Sequence, residues 1–86
     1  MHRTNVVHSA DMLRKGLKLA IVAAAMKHQL VAAKANRHLS ADEHLSEHNI
    51  TELVTRRRNP TSAQAAALAR VLGRSTIELF PPQVKS

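Results

Sequence analysis

Three consecutive arginines, Arg56-Arg57-Arg58, are the densest run of charge in this 86-residue sequence. Guanidinium forks match phosphate oxygens and guanine edges, and cations at a helix C-terminus are favoured by its dipole. The rival reading of the run is a solvated face. Just upstream stand Glu47 and Glu52. Each can accept from cytosine N4, or else face solvent or a protein partner. Six histidines raise metal ligation, with His44 and His48 four apart and Asp42 and Glu47 close by. A structural zinc site wants four ligands, and exposed histidines are the simpler reading, so no metal site is expected. The chain has no cysteine, which excludes disulfide scaffolds, thiolate zinc fingers and a cysteine nucleophile. It has no Gly-rich phosphate loop and no paired-carboxylate cleft. No Ser/His/Asp set has support beyond composition, so neither an enzyme nor a cofactor is expected.

The overall charge favours the same chemistry as the arginines. Thirteen Lys and Arg against six Asp and Glu leave a formal +7, which points to a polyanion: nucleic acid, or less often an anionic membrane surface. Phe80 is the one aromatic residue of the Phe/Trp/Tyr set, so base stacking on an aromatic platform is excluded. The cationic, apolar stretch from Arg14 to Lys34 has the makings of an interfacial helix but lacks Trp and Phe. Its apolar stripe is better explained as core, as are Met12 and Met26. The most apolar run, Leu19 to Met26, is far shorter than the roughly 20 residues a membrane span needs. His2, Arg3 and Asn5 lead only to Val6-Val7, which does not read as a signal peptide. The expectation is a soluble cytoplasmic protein, associated with the nucleoid and not with a membrane.

The elements that must position these residues are helical. Fourteen Ala and ten Leu, with two Gly and three Pro, predict an all-α fold: a four- to five-helix bundle. Residues 1–9 are polar and aperiodic and read as an arm, 10–80 as the domain, and 81–86 as a short tail. From Ala10 the apolar residues Leu13, Leu17, Ala20, Ile21, Ala24 and Val31 keep helical spacing. Ser9 is the candidate cap, Asp11 suits the positive helix end, and Gly16 is a weak point. One helix to about residue 32, or two meeting near residue 26, both fit. Leu39 is the apolar anchor of the segment from Asn36 to Glu43. Next, Ser46 can cap a helix with Ile50, Leu53 and Val54 as its buried stripe. Ser40 with Glu43 forms a rival capping box, opening one continuous helix over 41–57. Further on, Asn59-Pro60 is a breaker and Thr61-Ser62-Ala63-Gln64 a capping box. The helix after it places Ala65, Leu68, Ala69 and Leu72 on one face and stops at Gly73. Ser75 to Glu78 boxes a last short helix ending near Phe80.

The ordered set Ser46…Ile50, Arg58-Asn59-Pro60-Thr61, Leu68-Ala69-Arg70-Val71-Leu72-Gly73 and Glu78-Leu79-Phe80 resembles the Cro/C1-type (XRE) helix-turn-helix family over residues 45–80. The chain departs from that pattern at two glycines. The usual Leu-Gly-Val-Ser turn reads Glu43-His44-Leu45-Ser46, and the usual Glu-x-Gly reads Val54-Thr55-Arg56. His44 is then the candidate for the left-handed residue of the turn.

The resemblance implies a lambda-repressor-like domain whose third helix, 46–56, enters the DNA major groove. It places Glu47, His48, Asn49, Thr51 and Glu52 toward base edges. Asn36, at the expected start of the second helix, is placed toward phosphate with Arg37, Ser46, Thr55, Arg56, Arg57 and Arg58. It further implies a transcriptional regulator, repressor or activator, acting as a homodimer on double-stranded DNA. The dimer surface would be the C-terminal helix with Leu79 and Phe80, or the N-terminal helix. Arg3 in the arm is a candidate for an added DNA contact, or else part of a loose tail.

Charge along the chain frames the competing reading. Residues 1–41 carry seven basic and one acidic residue, 42–55 carry four acidic and none basic, and 56–86 carry six basic and one acidic. An acidic window thus covers most of the presumed recognition helix. The alternative is a helix-turn-helix-derived interaction module, antiactivator- or antitoxin-like, that binds another regulator through residues 42–52.

Overall fold

Ala- and Leu-rich windows with few breakers become helices throughout. The computed structural model describes residues 13–82, and among them are five α-helices and no strand. These are α1 (Lys15–Ala23), α2 (His28–Asn36), α3 (Glu47–Val54), α4 (Ser62–Leu72) and α5 (Thr76–Leu79), with a 3₁₀ turn at Ala41–Glu43 between α2 and α3. The arm with Arg3, the cap candidate Ser9, Asp11, Met12 and residues 83–86 lie outside the described residues.

The first half of the chain resolves as two helices whose axes differ by 93°. Ala25 makes the break by adopting a left-handed φ of 55°. Its N–H bonds to the Val22 carbonyl and that of Met26 to the Ile21 carbonyl. This is the paired bonding of a Schellman end, in which the last carbonyls of a helix are satisfied by the residues that leave it. The helix expected from Ala10 does not run through Leu13 and Arg14, since α1 begins at Lys15, and residues 10–12 lie outside the described residues. Arg14 is extended, and its backbone N–H is committed to Val54 O at 2.8 Å.

The continuous helix over 41–57 does not form. His44 and Ser46 are both extended, and a fresh helix starts under a capping box in which Ser46 Oγ accepts from Asn49 N while Asn49 Oδ1 accepts from Ser46 N. His44, with φ −60°, is not the left-handed residue of this connection. The expected helix over 46–56 is shortened to Glu47–Val54, with Arg56 leaving it at φ 63°. The same Schellman pairing closes it, Arg56 N to Leu53 O and Arg57 N to Glu52 O. Capping boxes at Thr61 with Gln64 and at Ser75 with Glu78 open α4 and α5 as the sequence indicates. Gly73, at φ 67°, ends α4.

Burial of the helix stripes holds these pieces together. Leu17, Val31, Ile50, Leu53, Leu68 and Leu79 are fully enclosed. α2 packs against α3 and α4, while α1 packs against α5 and α3. Leu45 is buried and Leu39 only partly so, which makes Leu45 the deeper anchor of the α2–α3 connection. Leu79 is therefore core, which corrects its place on a dimer surface. Gly16 is a requirement of the α1–α5 contact and not a weak point, since a Cβ there would stand 2.0 Å from the Glu78 carbonyl oxygen. Among the described residues no single helix is long and apolar enough to cross a membrane.

Candidate nucleic-acid interface

α3 is eight residues long, capped at Ser46 and seated on the core by Ile50, Leu53 and Val54. That stripe fixes which side chains remain outward. Glu47, His48 and Thr51 are exposed, while Asn49 and Glu52 are partly covered.

The five residues expected to face bases divide accordingly. Asn49 is committed to its own helix, its Oδ1 accepting from Ser46 N at 3.0 Å and its Nδ2 donating to Glu52 Oε1 at 3.2 Å. Glu52 gathers three partners: Arg58 Nε at 2.8 Å, Asn49, and His48 Nε2 at 3.4 Å. The Arg58 bond, then that from Asn49, holds the Glu52 carboxyl below the ordinary glutamate range. Thr51 Oγ1 lies 2.9 Å from His28 Nδ1 at the start of α2. Glu47 and His48 complete the outward set.

Among the phosphate candidates, Asn36 is relocated. It closes α2 and does not open it, because α2 starts at His28. Its amide brackets the backbone of Leu45, donating to Leu45 O at 2.9 Å and accepting from Leu45 N at 2.7 Å. The clamp joins the end of α2 to the entry of α3 across a connection longer than a tight turn. Ser46 Oγ serves the cap, and Thr55 Oγ1 donates back to Thr51 O at 2.9 Å. Arg37 and Arg57 are exposed, while Arg58 is held by Glu52 and Arg56 is partly buried. Among the described residues no three of His, Asp and Glu come together as a metal site.

Two groups that the sequence reading passed over shape this face. His28 stands at the start of α2, where the family resemblance would put a phosphate contact. No periodicity marks that start, since Leu17, Ala20, Ile21, Ala24 and Val31 stay in phase straight across the break. Arg14 is 7% exposed. Its guanidinium donates to Leu53 O, to Arg58 O at 2.9 Å and to Asn59 Oδ1 at 2.7 Å. It thereby fixes the exit of α3 and the loop that carries the arginines. Burial, then the charge of Arg56, lowers its pKa from the ordinary arginine value. In sequence it was one cation among thirteen.

No family model matches the chain, and no curated protein or solved structure matches it. The arrangement of side chains on and around α3 is what bears on function.

Proposed function

We propose that the protein is a sequence-specific DNA-binding regulator of the Cro/C1 type, with α3 presented to the major groove and basic residues on both flanks gripping phosphate. The observation that carries this reading is the Glu52–Arg58 pair at 2.8 Å. It neutralises half of the α3 carboxylates and leaves Glu47, His48 and Thr51 as the outward side chains of the helix. Base contacts are assigned to those three. Phosphate contacts are assigned to Arg37 and Arg57, with His28 at the α2 start in place of Asn36. The homodimer is part of the same proposal. With Leu79 enclosed, its surface is the α1–α5 side, where Leu19, Val22 and Ile77 stand 65%, 65% and 68% exposed.

The test is binding to duplex DNA selected from a random pool, followed over a range of salt. The expected result is a palindromic winner whose affinity falls steeply, with a log–log slope of several units. Arg57→Ala should weaken all duplexes alike, whereas Glu47→Ala should change sequence preference. A chain that binds no duplex above background at low salt overturns the proposal in favour of the protein-interaction module.

A further inference from the structure

Two arginines meet at the exit of α3 with no carboxylate between them. Arg14 and Arg56 together line a cavity of about 380 Å³, whose wall continues through Asn59, Thr61, Ser62 and Phe80. The same pair lines a second cavity of about 260 Å³ that shares Pro81 with the first. Among the described residues neither arginine takes part in an ion pair, since both salt bridges there belong to Glu52. Arg14 is satisfied by neutral acceptors, and its guanidinium lies over the Phe80 ring at 5.4 Å. Arg56 is not satisfied, because its Nε is buried and has no hydrogen-bond partner. A buried cationic donor without an acceptor is costly, and a second cation beside it adds repulsion.

The backbone sharpens the point. Arg56 sits in the left-handed region, where glycine fits without strain. The chain instead holds there a long cationic side chain that enters the cavity wall. The Thr61 hydroxyl in the same wall is already committed, donating to the Glu43 carboxylate and accepting from Gln64 N. The arginine pair makes the site.

We propose that the cavity between Arg14 and Arg56 binds a tetrahedral oxyanion of the phosphate class. Such an ion supplies the missing counter-charge and offers acceptor oxygens in several directions, which two guanidiniums approaching from different elements require. The Ser62 hydroxyl is at hand in the wall. The site does not depend on the DNA reading. Its occupant is either a backbone phosphate or a free anion, and the chemistry is shared.

The test is a titration of the full chain with inorganic phosphate at constant ionic strength, read by the nitrogen–proton resonances of Arg56 Nε and of the Ser62 and Ala63 amides. A saturating shift confined to these groups is expected. Arg56→Gly, which keeps a residue suited to positive φ and so keeps the fold, should weaken phosphate binding at least about tenfold. Absence of a saturable shift, an equal response to acetate, or unchanged affinity in Arg56→Gly would overturn the site. A selected duplex then distinguishes the sources. Displacement of phosphate by DNA identifies a backbone phosphate as the occupant, and persistence of the phosphate shift identifies a free anion. A duplex that does not bind removes the DNA reading and leaves the anion site standing.

Discussion

The Arg14 guanidinium donates to the carbonyl oxygen of Leu53, 39 residues away along the chain. One side chain at the entry of α1 thus caps the exit of α3, and two further donations tie down the arginine-bearing loop. Arg14→Ala should cost about 2–3 kcal/mol, because it removes three charge-assisted hydrogen bonds, one buried and two partly buried. Arg14→Lys should recover only part of that, since a single ammonium cannot span three acceptors. Chemical denaturation of the two variants checks both; a loss within error for Arg14→Ala would show that the cap is dispensable.

The two glycines should fail for different reasons. Gly16→Ala drives a methyl into the Glu78 backbone, and neither helix can yield without opening the α1–α5 contact. A loss of about 1–3 kcal/mol is expected. Gly73→Ala meets nothing within 4 Å and should cost only the left-handed backbone term, about 1 kcal/mol. Thermal unfolding of the pair should rank them in that order.

Ala25 offers the converse substitution. Ala25→Gly relieves a left-handed φ at the α1–α2 break, and the gain exceeds the added freedom of the unfolded chain. A stabilisation of about 0.5 kcal/mol is expected in denaturant titration. Destabilisation would mean that the break is not strained.

Glu52 gives the pH dependence. Its folded pKa is lowered from an ordinary 4.5, first by Arg58 and then by Asn49. The unfolded chain therefore takes up the proton first as pH falls. The stabilising contribution is full above 4.5 and is lost as pH drops through the folded value. Carboxyl chemical shifts should place the Glu52 midpoint below the ordinary glutamate value, and Glu52→Gln should flatten this part of the stability profile. On the DNA reading the same variant releases Arg58, so duplex affinity should rise and the salt slope steepen by about one.

The capping residues show how much of the fold was legible. Thr61 with Gln64, Ser75 with Glu78, and Gly73 mark the bounds of α4 and α5 by local chemistry, and those helices start and stop where that chemistry says. Ser46 does the same for the start of α3. The site was less legible. Asn49, Asn36 and Glu52 have side chains suited to bases and phosphates, but their use depends on which neighbours fold against them. Asn36 clamps Leu45, and Glu52 holds Arg58, six residues on.

By itself, then, the sequence determined the helical class, the buried stripe of α3, three helix starts and one helix stop, because these follow from propensity and from hydrogen bonds within a few residues. In α4, Gln64 and Ala67 are buried where Ala65 and Ala69 were expected. Only the tertiary structure decided where α1 gives way to α2 and where α3 ends. Three helix ends, at Ala25, Arg56 and Gly73, use a left-handed residue, and one of the three is glycine. At glycine that conformation is almost free and can be read from the residue type. At Ala25 and Arg56 it costs roughly 1–2 kcal/mol, and it persists because the chain must turn there to enclose Leu17, Val31, Ile50 and Leu53, contacts that no local pattern records.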